Sequence, residues 1–200
     1  MIFEALTIIN EELKTYVDGV LGTLDNVTLG NIAMLESGES DIIRNRLIIS
    51  LVNLEEESAL KNSNGFHRAS NGSIQYENPP VYLNLYLLFA ANWPERYDNA
   101  IRAISLVIEF FQGKNIFTAQ NSPGAADLLD TDDPEVLDLK LIVDLYTLTF
   151  EQINHLWGSL GGKQIPFAMY KVRLTRTHSG RRLKDGRLIE RTDNRSDVID

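Results

Sequence analysis

The sequence predicts a mixed α/β domain with one β-sheet and three main helices, in the order α-β-β-β-α-β-α-β. Three observations predict it. Val81, Leu83, Leu85, Leu87 and Phe89 alternate with Tyr82, Asn84, Tyr86, Leu88 and Ala90, the period of a strand. Both sets are largely apolar, so this strand is expected to be covered on both faces and central in its sheet. The chain then changes period: Tyr97, Ala100, Ile101, Ile104, Val107, Ile108 and Phe111 recur at threes and fours, one face of a helix. A second clean alternation, Leu137 to Tyr146, also leads into helical spacing.

Taken in chain order, residues 2–21 read as an amphipathic helix, with Ile2, Leu6, Ile9, Leu13, Tyr16, Val17, Val20 and Leu21 on its apolar face. Val27 to Leu35 reads as a strand kinked at Gly30. Ile42 to Leu54 is rich in β-branched residues, and Asn45 and Asn53 argue against a long helix, so a strand is expected. Residues 61–78 form a polar Asn/Ser/Gly loop, longer than most connections in compact domains. Pro79 and Pro80 cannot donate ladder hydrogen bonds, so the central strand starts after them. Pro94 suits the first turn of the next helix, and Gly113 its end. Residues 118–134 read as a second long loop, acidic and bearing Pro and Gly. Thr149 and Gln152 have the spacing of a capping box and introduce the third helix, which Gly161 and Gly162 end. Ile165 to Leu174 is the last strand. The domain is therefore drawn over residues 1–176, with 177–200 a charged C-terminal tail, extended or ordered by a partner.

Composition narrows the chemistry. The chain has 200 residues, enough for one domain with a self-sufficient core. It contains no cysteine, which removes disulfides, thiolate metal sites and a cysteine nucleophile. No apolar run approaches the roughly 20 residues of a membrane span. The start, MIFEALTIINEELK, lacks a basic segment of the secretory type, so synthesis and assembly in the cytoplasm are expected. The net charge of −9 is unevenly spread. From Lys163 onward ten Lys and Arg face five Asp and Glu, whereas the preceding residues carry nine basic and 23 acidic side chains. An acidic body is repelled by nucleic acid, and the basic end suits an acidic protein surface instead.

No catalytic constellation emerges. GSLGGKQ at 158–164 resembles a phosphate loop only superficially. Trp157 stands where its first glycine belongs, Gln164 where Ser or Thr belongs, and the segment follows a helix rather than a strand. A helix cap and turn is the better reading. His67, His155 and His178 have no histidine partner at ligand spacing. Asp127, Asp130, Asp132, Asp133 and Glu135 lack the pattern of a calcium loop and read as a solvated acidic loop. Trp157 is expected to fix its helix to the sheet. Tyr82, Tyr86 and Tyr146 stand between core and interface roles. The expectation is no catalytic residue, no cofactor and no metal.

The words NPPVYLNLYLLFAA with its helix ending EFFQGKNIF, LDLKLIVDLYTL, and EQINHLWGSLGGKQIPFAMYKVRL carry a likeness. Over residues 1–176 the chain resembles the N-terminal domain of cap proteins, or tube terminators, from extracellular contractile injection systems. The resemblance implies a tail-terminator-like fold and a structural, non-enzymatic role. It implies a homo-oligomeric ring, a hexamer, that ends the inner tube and sheath and holds the sheath extended. Partners would be the chain itself, the tube protein and the sheath protein, in a particle open to release from the cell. A terminator of a contractile bacteriophage tail is the alternative, and a small-molecule-binding α/β domain a further one. The resemblance supplies no catalytic residues. Candidate interface residues are Lys171 and Arg173, on a strand expected at a sheet edge, and Arg181, Arg182, Lys184 and Arg187 in the basic tail. Val27 to Leu35 is the other candidate edge.

Overall fold

The structure, a computed structural model, describes residues 1–22, 26–35, 43–57, 66–68, 74–77, 81–130, 132–177 and 182–186. Its elements are α1 (Ile2–Leu21), β1 (Val27–Leu29), β2 (Arg46–Glu56), β3 (Phe66–Arg68), β4 (Ile74–Glu77), β5 (Val81–Asn92), α2 (Tyr97–Gly113), β6 (Ile116–Thr118), β7 (Lys140–Leu145), α3 (Phe150–Ser159), β8 (Phe167–Thr177) and β9 (Arg182–Gly186). Short 3₁₀ segments at Ile32–Met34 and Pro123–Leu128 and a helical turn at Pro134–Leu137 complete it.

Six strands form the main sheet in the order β1-β2-β5-β8-β7-β6. Only β1–β2 is parallel; the other four pairings are antiparallel. β5 is central as its two apolar sets require, and the sets part as period two demands. Leu85, Leu87 and Phe89 face α1 and α2, while Leu88 and Ala90 face α3. On the helix-covered inner face, Phe89 stacks edge-on against Phe111 and Tyr170 at 5.3 and 5.4 Å. Phe110 and Phe117 extend this cluster, and Tyr16 of α1 meets Phe110 at 5.3 Å. Such contacts add about 0.5–1.5 kcal/mol each beyond area burial. Trp157 anchors α3 to the outer face, buried among Ile32, Ile43, Ile48 and Leu88 and edge-on to Phe167.

The helix ends follow their local chemistry. Gly22 caps α1 at φ 68°, donating to the Asp18 carbonyl at 2.9 Å. Thr149 and Gln152 form the expected capping box of α3. Gly161 and Gly162 take φ 107° and 84° after it, so GSLGGKQ is a helix end and turn.

Several expectations are corrected. Ile165 to Leu174 is no edge: β8 is hydrogen-bonded to β5 on one side and β7 on the other. Lys171 and Arg173 signalled an edge because their side chains leave the helix-covered face, and that face polarity is independent of strand order. Val27 to Leu35 stops as a strand at Leu29. Asn31 accepts from the Ala33 N–H at 3.0 Å and turns the chain into a 3₁₀ segment. Gly30 sits so close to the Ile43 and Ile48 methyls that a Cβ would meet them at 3.2 Å. Residues 61–78, expected as loop, contain β3 and β4, which pair with β9 in a second, three-stranded sheet. The sheet is thus not single. Residues 118–134 hold the end of β6 and the Pro123–Leu128 segment. Pro94 precedes α2 in a turn and the helix begins at Tyr97. Finally, Val20, Ile101 and Ile108, expected on apolar helix faces, are exposed.

Candidate assembly surfaces

With no catalytic constellation in the sequence, the surfaces able to bind another chain carry the functional question. The main sheet has two edges, β1 and β6. In the β6–β7 pair the Val143 N–H donates to the Asn115 carbonyl at 2.8 Å. Strand alternation therefore points the main-chain groups of Ile116 and Thr118 away from β7, to the open side. That side is occupied by one side chain. The Asn121 carboxamide accepts from the Thr118 N–H at 2.9 Å and donates to the Ile116 carbonyl at 3.1 Å. It stands in for one peptide group of a seventh strand.

The plug is fastened from beneath. Lys114 donates to the Asn121 carbonyl at 2.6 Å and pairs with Glu12 of α1 at 2.7 Å, lying 4.8 Å from the centre of the Phe117 ring. The other Glu12 oxygen accepts from the Gly124 N–H at 3.0 Å. One carboxylate thus ties α1, the end of α2 and the loop after β6. Neither Glu12 nor Asn121 stands out in the sequence, since both are ordinary polar residues whose partners lie far along the chain.

At β1, the Asn26 carbonyl accepts from Leu47 N–H at 2.7 Å and Gly30 N–H donates to Ile49 at 3.1 Å. Val27 and Leu29 therefore turn their main-chain groups to the outer side. Thr28 Oγ1 reaches the Leu29 carbonyl at 3.2 Å. Among the described residues no side chain spans this edge as Asn121 spans the other.

The outer face beyond α3 is polar. A bulge between Leu51 and Asn53 resets β2 so that Asn53 and Glu55 stand opposite Tyr86 and Asn84. Tyr86 donates to Glu55 at 2.8 Å, and Asn84 donates to Glu57 at 3.0 Å. Burial, then the hydrogen bond and charge of Glu55, push the Tyr86 hydroxyl up to about 12. Lys171 and Arg173 belong to this face. Lys171 lies 3.6 Å from Glu57 and Arg173 2.6 Å from Asp144, so both expected interface cations have partners within the chain. Arg182 and Lys184 are in β9, opposite Glu77 and Tyr76 of β4. The two pairs belong to strands of different sheets. Arg181 and Arg187 lie outside the described residues.

Residues 4–191 match the family described as the Pvc16 N-terminal domain. The chain belongs to that family. The match runs past β8 and takes in β9. Among curated proteins none matches. Two solved structures are similar in fold. One is the sheath/tube terminator of an extracellular contractile injection system, PVC, in the extended state, at 12% identity and a TM-score of 0.52, covering 100% of this chain and 65% of that one. The other is the anti-feeding prophage cap, the AFP tube terminating cap, at 12% identity and a TM-score of 0.58, covering 95% of this chain and 60% of that one. At that identity the likeness is one of fold, a mixed α+β architecture. The chain spans less than two thirds of either protein.

Proposed function

We propose that this chain is a ring-forming structural cap that ends the inner tube and sheath of a contractile injection system and stabilises the extended sheath. The observation that carries the reading is the family match over residues 4–191, joined to the fold shared with two tube terminators along 95% or more of the chain. The ring is read as six copies of the chain, its partners are the tube and sheath proteins, and the role needs no catalysis. Among the described residues no helix is long and apolar enough to cross a membrane. Assembly belongs in the cytoplasm, with the cap leaving the cell as part of a particle. The domain comprises residues 1–176, and the basic end from 177 contacts an acidic surface of a neighbouring subunit or of the sheath through Arg181, Arg182, Lys184 and Arg187. Lys171 and Arg173 add a second, separate charged patch on the outer face rather than a strand edge. Exposed ion pairs are worth about 0–1 kcal/mol each, so this contact acts as a set and weakens with salt.

The test is assembly of particles from cells lacking this chain, imaged by electron microscopy. Tubes and sheaths of uncontrolled length, or sheaths found only contracted, are expected, with uniform extended particles restored by the chain. Uniform extended particles in its absence would overturn the reading.

A further inference from the structure

We propose that copies of this chain join head to tail, the acidic excursion at 119–139 of one copy seating in a basic-rimmed apolar groove of the next. The proposal rests on the ring-forming reading above and names its subunit contact. The groove consists of two confluent hollows of about 490 and 620 Å³ that share Tyr97, Ile165 and Pro166. Trp93, Ile101, Ile104 and Phe167 continue its apolar wall. Tyr97 is 67% exposed and Ile101 44%, an apolar helix stripe left uncovered within the chain. Arg44 and Lys163 stand on the rim. Arg44 already meets Glu95 at 2.5 Å across exposed surface, and a guanidinium has donors enough for a second carboxylate.

The excursion has the complementary character. Ala125, Leu129, Val136 and Leu139 are buried in the main core and hold it in place. Gln120 donates to the Leu137 carbonyl at 3.0 Å, and Gly124 is held by Glu12. This anchoring turns Leu128 and Leu137 outward, 61% and 42% exposed, beside exposed Asp127, Asp130, Asp132 and Asp138. Exposed leucines among carboxylates, a knob anchored in the core, complement an apolar groove whose rim carries Arg44 and Lys163.

The two surfaces cannot meet in one molecule. Phe167, in the groove, begins β8, whereas Thr175 of β8 pairs with Lys140, which directly follows the excursion. Eight residues of strand separate them by about 25 Å. Complementary patches at opposite ends of one chain make a heterologous contact, which repeats and closes into a ring where the rotation allows.

The test uses the full chain in three forms, followed by sedimentation velocity and light scattering with circular dichroism as a check on folding. One variant, Leu128→Ser with Leu137→Ser, breaks the knob. The other, Tyr97→Ser with Ile101→Asp, breaks the groove. All four positions are exposed, so both variants fold. Wild type is expected to self-associate, and each variant to do so more weakly by on the order of ten- to a hundredfold per apolar side chain lost. Mixed together, the variants retain one intact knob and one intact groove, so a 1:1 dimer that grows no further is expected. Variants that keep the wild-type mass, or a mixture that stays monomeric, overturn this contact and leave the ring-forming reading standing. A wild-type chain that is monomeric at every concentration overturns both.

Discussion

At the scale of single residues, the heaviest consequences belong to side chains with several partners. Glu12 accepts from Lys114 and from Gly124, and its side chain is only 13% exposed. Hydrogen bonds to charged groups are worth about 1.5–3 kcal/mol, more than an exposed ion pair. Glu12→Ala is therefore expected to lower stability by about 2 kcal/mol in a urea melt, whereas Gln112→Ala on exposed α2 surface stays within about 0.5 kcal/mol. Equal effects would remove Glu12 from its place as a tie. Tyr86 gives a pH signature. Its hydroxyl is raised to about 12 from an ordinary value of 10, so the folded state favours the neutral form. Its contribution is full below pH 10 and is lost as pH rises through the window from 10 to 12, where the unfolded chain has ionised and the folded one has not. Tyr170, raised to about 12 by burial, acts in the same direction. The comparison of wild type with Tyr86→Phe isolates one of them: the stability gap should shrink by up to about 1.4 kcal/mol per pH unit across that window. A constant gap between pH 9 and 12 would contradict the assignment.

At the scale of elements, the sheet treats its two edges differently. Asn121 closes β6 with one donor and one acceptor, and only a carboxamide provides both at that spacing. Asn121→Asp keeps an acceptor for Thr118 but faces the Ile116 carbonyl with no donor, and Asn121→Ala loses both bonds. We expect losses of about 1 kcal/mol for either, with greater aggregation of the alanine variant on heating, because it bares a strand edge. Aggregation unchanged from wild type would show that the amide protects nothing. This plug lay beyond the sequence for a plain reason. Asn121 sits in a stretch read as a loop, and an Asn in a loop is ordinarily a turn former. The longer patterns were legible. The alternation of β5 and, within the expected Leu137 to Tyr146, of Lys140–Leu145, the capping box of α3 and the Gly-Gly stop are local chemistry, written in adjacent residues. Leu137, by contrast, closes a helical turn instead of opening the strand. The strands β3, β4, β6 and β9 have three to five residues each, too few for a period to show, and exist through partners distant in sequence. On α2 the periodicity located the helix but could not say which of two adjoining apolar stripes would be covered. Ala100, Ala103, Val107 and Phe111 are buried, while Tyr97 and Ile108 are left out.

At the scale of the whole molecule, strand order decides where another chain can add. The polar spacing of Lys171 and Arg173 looks like an edge in one dimension, yet β8 lies between β5 and β7 and both of its sides are in use. Lys171→Pro would then remove a ladder hydrogen bond in the middle of the sheet, at a cost of about 3 kcal/mol or more, and should impair folding before it touches assembly. With β6 plugged, β1 is the other edge of the main sheet, and Leu29 there turns its N–H outward. Leu29→Pro removes that one outward donor and no bond to β2, and Thr28 before it is already extended. Leu29 also packs against the main core, so the melting temperature is expected to fall, and capping is compared at a temperature where circular dichroism shows the variant folded. If an extended segment of tube, sheath or neighbouring copy pairs with β1, the same substitution should weaken capping, because strand addition depends on main-chain hydrogen bonds. Purified Leu29→Pro, supplied to particles lacking this chain, is the decisive sample. A folded variant that caps them as well as wild type would exclude β1 as the receiving edge, and a Lys171→Pro variant that folds and melts like wild type would contradict the strand order itself.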